Sequence, residues 1–244
     1  MSALLPPPAP PRRPMGLAAR LVGLLTAPRA TYADVAARPT WFGVFLVVLS
    51  ISVGSTLWIL STEVGRQAVV DQQLQTLEAF GRTVSDEEYQ RMQRMAPYSG
   101  YLVAATQIVG LPVTVTAVAG IAFAIFNGVL GENAGFRQVF AVVMSSSVVS
   151  ALRALFSTPL NYARESLSNP TTLAAVLPLF EDDTFGGRLF GSIDLFLIWW
   201  VINLAIGLGV LYRRRTAPIA TAMLAVYGAI GLTIAAVRSA LAGA

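Results

Sequence analysis

The sequence predicts an all-α fold: a polytopic transmembrane helical bundle with five spans and an extracytoplasmic helical loop. Three observations predict it. The chain is 55% hydrophobic with a mean hydropathy of +0.64, and only 12% of its 244 residues are charged, about half the ~25% of a soluble domain. Five apolar stretches are each long enough, at ~1.5 Å rise per residue, to cross ~30 Å of hydrocarbon. Arginines gather in the loops on one side of these stretches and acids in the loops on the other, which fixes an orientation.

Residues 1–14 read as a disordered, Pro-rich cytoplasmic tail. Six of the ten residues 5–14 are Pro, a composition that favours polyproline II. Pro7, Pro10 and Arg12 match a PxxPxR ligand pattern, while Arg12 and Arg13 also suit a tail held near anionic lipid. Residues 15–40 form a juxtamembrane amphipathic segment. Leu17, Leu21, Leu24 and Leu25 share one helix face, so this helix is expected to lie at the cytoplasmic interface. Arg20 interrupts the run, and Pro28 and Arg29 follow it, a pattern unlike a cleaved signal peptide.

The five-helix transmembrane domain occupies residues 41–240, with spans at 41–60, 101–126, 138–160, 192–212 and 217–237. The first, second and fifth are uncharged; the third contains Arg153, and the fourth has Asp194 near its start. Trp41, Trp58 and Tyr101 fall at span ends, as an aromatic belt places them. Trp199 and Trp200 sit deeper and suit packing.

The outer loop, residues 61–97, is read as two helices. The first covers 63–80, with Val69, Leu74, Leu77 and Phe80 partly on one face, and Gly81 ends it. The second opens with a capping box, Ser85 with Glu88 three residues on, and runs through Tyr89, Met92 and Met95 until Pro97 stops it. Met92 and Met95 suit either a partner or the membrane-domain surface.

Loop charges set the threading. The N-terminus and the loops after spans two and four hold nine arginines, including the Arg213-Arg214-Arg215 turn, against Asp34 and Glu132. The opposite side holds seven arginines and ten acids. The expectation is a cytoplasmic N-terminus and an extracytoplasmic C-terminus, in the cell inner membrane.

Absent residue types narrow the chemistry. The chain has no Cys and no His, and all 17 basic residues are Arg. Thiol chemistry, His-dependent triads, N/S zinc sites, P-loops and Schiff bases are therefore excluded. Asp194 is the only Asp within a span, too few for an aspartyl dyad. The composition also excludes a basic nucleic-acid module. The expectation is a non-enzyme with no cofactor and no catalytic or metal site. Glu181, Asp182 and Asp183 could hold a divalent ion, but no spaced ligand loop surrounds them, and a solvated acidic loop accounts for them better.

Polar residues inside the spans are the candidate functional residues. Arg153 and Asp194 fall at similar depths on consecutive antiparallel spans, which predicts an ion pair acting as a structural clamp or as a proton or solute relay. Thr116, Gly120, Ala124 and Gly128 recur every four residues, a helix-packing stripe of small side chains; Ala205 and Gly209 repeat the spacing in span four. Ser145, Ser146, Ser147 and Ser150 can bond a neighbouring helix or their own backbone. Pro112 suits a kink. Gln107, Asn127 and Asn203 complete a set too sparse to predict a water-filled path, and inverted repeats are not detected.

Four pieces carry a family resemblance. They are Leu24-Leu25-Thr26-Ala27-Pro28-Arg29-Ala30-Thr31-Tyr32-Ala33-Asp34-Val35 before span one, the long outer loop with Ser85-Asp86-Glu87-Glu88, Gly131-Glu132-Asn133-Ala134-Gly135-Phe136-Arg137-Gln138 leading to Ser157-Thr158-Pro159, and Asp194-Leu195-Phe196-Leu197-Ile198-Trp199 with Ile206-Gly207 and the basic turn. In this order the chain resembles the Yip1-domain family, in its bacterial branch, over residues 21–236. The resemblance implies five spans and a cytoplasmic N-terminus. Eukaryotic relatives act in vesicle trafficking and bind Rab GTPases, but this chain lacks their Asp-Leu-Tyr-Gly-Pro motif, so Rab binding does not carry over. The all-Arg, Ala-rich composition fits a GC-rich bacterial genome.

Two functions follow as expectations. The first is a scaffold, assembly or membrane-organising protein working through helix–helix contacts with the lipid bilayer, membrane-protein partners or copies of itself. The alternative is a channel or transporter-like component with a polar path near Arg153 and Asp194, drawing on Gln107 and Ser145 to Ser150.

Overall fold

Apolar helices bury their backbone hydrogen bonds internally, and this chain uses little else. A computed structural model describes residues 15–79, 81–177, 179–181 and 184–242. Among them, regular structure is helical apart from one isolated antiparallel bridge between Thr172 and Asp194. The Pro-rich tail, with Pro7, Pro10, Arg12 and Arg13, lies outside the described residues, as do Asp182 and Asp183.

In chain order the helices are α1 (Leu17–Thr26), α2 (Pro28–Ala37), α3 (Phe42–Ser61), α4 (Glu63–Ala79), α5 (Asp86–Phe123), α6 (Phe136–Ser146), α7 (Val148–Ala163), α8 (Leu173–Val176), α9 (Phe185–Ser192), α10 (Leu195–Leu211) and α11 (Thr216–Ala242). A π-helical segment, Ala124–Val129, continues α5. Four helical segments are long and apolar enough to cross a membrane: Phe42–Ser61, Asp86–Val129, Phe136–Ala163 and Thr216–Val237. The fourth expected span corresponds to α10, which has 17 residues and so measures only about 25 Å. It begins after Asp194, because that side chain caps it from outside rather than riding within it,.

The loop at residues 61–97 differs from its sequence reading at one point. Gly81, at φ +71°, does end α4. The Arg82 amide donates to the Leu77 carbonyl and the Gly81 amide to that of Glu78, the two bonds of a Schellman turn. Ser85 accepts from the Glu88 amide at 3.3 Å. Pro97, however, stops nothing: α5 runs unbroken from Asp86 through Pro97 and Pro112. Proline removes only the bond to the Gln93 carbonyl, and Gln93 is exposed, so solvent can satisfy the orphaned acceptor. The span expected at 138–160 is also divided. It turns at Ser147, whose amide bonds to Met144 O at 3.2 Å, the tighter spacing of a 3₁₀ turn.

In the N-terminal segment, α1 and α2 form a hairpin whose inner face packs on the bundle, while Leu17 and Val22 of α1 stay exposed. Leu24, Tyr32 and Val35 are essentially fully buried, and α2 packs against α6 and α10. The Asn203 side chain, midway along α10, donates to Leu24 O at 2.8 Å and accepts from the Tyr32 hydroxyl. Close approach is possible because residue 207 is glycine: a Cβ there would stand 2.6 Å from Val142 and 2.8 Å from Tyr32. Arg20 is buried where the two helices open. It donates to Asp34 at 2.8 Å and to the carbonyl and hydroxyl of Thr40 at 2.7 and 2.6 Å.

α10 is the axis of the molecule, with α2, α6, α7 and α11 around it. The core joins Leu24, Tyr32 and Val35 to Val48, Ala119, Val142, Met144, Leu204 and Leu208. Large apolar side chains such as Tyr101, Val109, Ile121, Val129 and Val226 cover the outside, an arrangement suited to lipid rather than water.

Candidate functional site

The start of α10 collects polar groups from four elements. Asp194 Oδ1 accepts from the amides of Phe196 and Leu197 at 2.8 and 3.1 Å, satisfying donors that the helix itself leaves unpaired. Its Oδ2 accepts from Asn169 Nδ2 at 2.7 Å and Thr171 Oγ1 at 3.0 Å. Arg153 Nη2, from α7, lies 3.0 Å from the same oxygen. The Asp194 amide donates to the Tyr227 hydroxyl of α11 at 2.7 Å, and that hydroxyl donates to Ser192 O at 3.0 Å. The carboxylate is 8% exposed and the arginine side chain 41%, so the two partners differ in their surroundings. Asp194 sits in a closed net of donors; Arg153 faces open space.

Sequence reasoning missed Asn169, Thr171 and Tyr227. Asn169-Pro170-Thr171 did carry a turn signal, and Asn169 Oδ1 indeed accepts from the Thr171 amide and hydroxyl at 3.2 and 2.7 Å. Tyr227 carried none.

Beside this net lies a cavity of about 800 Å³. α5 and α7 each pack along α3 far more than on one another, and this trough is lined by residues of α3, α4, α5, α7 and the loop at residues 167–170. Thirteen of its 23 lining residues are polar, among them Ser52, Ser55 and Thr56 of α3, although most of the exposed wall is apolar. Gln107, Ser150 and Arg153 line it together, and Gln107 Nε2 donates to Thr56 Oγ1 at 2.7 Å. Ser145, Ser146 and Ser147 are not in its wall; they are buried, and Ser146 and Ser147 bond back to Val143 O.

The small-residue stripe faces the other way. Val115, Ala119, Ala122 and Phe126 are the buried residues of this stretch. Thr116, Ala124 and Gly128 are exposed and Gly120 half-buried, with open space where a Cβ on either glycine would stand. Ala205 and Gly209 are buried within the bundle. In the loop at residues 61–97, Met92 faces Gln72, Gln73, Thr76 and Leu77 across a cleft, while Met95 is exposed.

At the opposite end, the π-helical segment turns Asn127 inward. It donates to Ala134 O and accepts from the Tyr212 hydroxyl, both at 2.8 Å, while Phe126 stacks on Tyr212 with centroids 4.4 Å apart. Arg214 Nε reaches Glu132 at 2.7 Å. No cluster of three or more metal-ligating side chains occurs among the described residues.

Long apolar helices, buried polar nets and an apolar exterior define a multi-pass α-helical membrane protein. The Yip1 domain model matches residues 22–237, nearly the whole chain from within α1 to within α11, and the protein belongs to the Yip1 domain family. Comparison with curated proteins and with solved structures gives no match.

Proposed function

We propose that this chain is a non-enzymatic protein of the bacterial inner membrane that organises membrane components, including copies of itself, through helix–helix contacts. In this reading α10 serves as the fourth of five spans, the N-terminus is cytoplasmic and the C-terminus extracytoplasmic. The shortness of α10 is tolerable because its first turn is capped by Asp194 inside a net of polar side chains, which satisfies the backbone amides at that end,. The observation that carries the reading is the stripe on α5. Thr116, Ala124 and Gly128 lie on the outside and Gly120 is half-buried, with nothing packed on either glycine, and small residues at this spacing let helix backbones of separate chains approach closely.

The chain contains no cysteine, so single cysteines test this directly. Ala124→Cys and Thr116→Cys are expected to cross-link between copies, or to another membrane protein, in native membranes, and inward-facing Val115→Cys is not. A stripe that never cross-links contradicts the proposal.

The trough, with polar groups from Arg153, Gln107 and Ser150 in a largely apolar wall, favours a second reading, a solute path near Arg153 and Asp194. Packed Met144, Val148 and Ala151 continue the bundle beyond Ser150, which supports a blind binding compartment more than a conduit.

A further inference from the structure

We propose that the trough between α5 and α7 binds a phospholipid whose headgroup is anionic and carries hydrogen-bond donors. Three buried polar atoms have no protein partner: Gln107 Oε1, Ser157 Oγ and Asn161 Oδ1. All three residues line this trough. Buried polar groups left unpaired are costly, so three of them in the walls of one trough mark a place where a small shift of these side chains toward a bound donor is rewarded. The two amide oxygens require donors, which headgroup hydroxyls provide.

Arg153 supplies the charge recognition. Among the described residues it is the only ionisable one lining the cavity. Its carboxylate neighbour already accepts four hydrogen bonds from Asn169, Thr171 and the amides of Phe196 and Leu197, so Asp194 does not depend on Arg153. The guanidinium therefore keeps donors for a phosphate, which its planar fork grips in a bidentate manner. Leu49 and Leu111 give the trough an apolar portion for the start of an acyl chain. The volume of about 800 Å³ lies within the ~300–1,000 Å³ of small-molecule sites.

The test is native mass spectrometry of the full chain released from nanodiscs of phosphatidylglycerol, of phosphatidylcholine, or of phosphatidylcholine with added inorganic phosphate. Phosphatidylglycerol is expected to be retained about tenfold more than phosphatidylcholine. Arg153→Gln should abolish the preference, and Gln107→Leu should weaken retention while leaving the helical circular dichroism unchanged. If Arg153→Gln does not fold, Gln107→Leu and Ser157→Ala read the same site. Equal retention of the two lipids, an unchanged preference in these variants, or a bound phosphate with no bound lipid would each overturn the proposal.

Discussion

Tyr32 is fully buried, and its hydroxyl donates to Asn203, whose amide donates to the Leu24 carbonyl. Three segments far apart in sequence meet in that short chain of bonds. Tyr32→Phe leaves the Asn203 oxygen unpaired in a dry core, and thermal unfolding in detergent should show a loss of about 1–3 kcal/mol. The Arg153 and Asp194 pair makes a sharper comparison. Asp194 caps α10 through two amides and accepts from Asn169 and Thr171 as well, so Asp194→Ala should cost about 3 kcal/mol. Arg153→Gln removes a partner that is 41% exposed and should cost less than about 1 kcal/mol. In the double variant the Asp194 loss should shrink by about 0.5 kcal/mol or more; full additivity would mean the contact carries no energy. These two residues were legible because charges in apolar runs stand out. Asn169, Thr171 and Tyr227 were not, since ordinary polar residues reveal their role only once the chain brings them together.

Helix existence was legible from hydropathy, and helix boundaries from caps where the cap was local. Gly81 and Ser85 act as their residue types predict. Pro97 does not, because a proline stops a helix only when nothing else rewards its continuing, and α5 goes on to pack along α3 and α6. Replacing Pro97 by Ala restores a donor to the Gln93 carbonyl. The helical midpoint should then rise, by about 1–3 kcal/mol of stability; a fall would mean the helix needs its proline. The α1–α2 hairpin was illegible for another reason. An amphipathic pattern states that a face must be covered, yet lipid headgroups and a neighbouring helix satisfy it equally well. Arg20 looked like an interruption because its partner Asp34 sits on the next helix.

At the scale of the whole molecule, composition alone identified the bilayer as the surrounding medium, and the exterior of Tyr101, Val109, Ile121 and Val226 agrees with it. The trough could not be read from sequence, since its walls come from α3, α5 and α7 together. Single cysteines probe it: Ser150→Cys should react with a small membrane-impermeant maleimide, and Ser146→Cys, which replaces a fully buried side chain, should stay silent. Labelling at both would indicate a path through the core.

The threading of the chain is tested most directly by fusing two reporters separately after Ala244, alkaline phosphatase and green fluorescent protein. With five spans and a cytoplasmic N-terminus, the phosphatase should be active and the fluorescent protein dark. A bright fluorescent fusion with an inactive phosphatase would mean an even number of crossings, and α10 would then be an interior helix rather than a span.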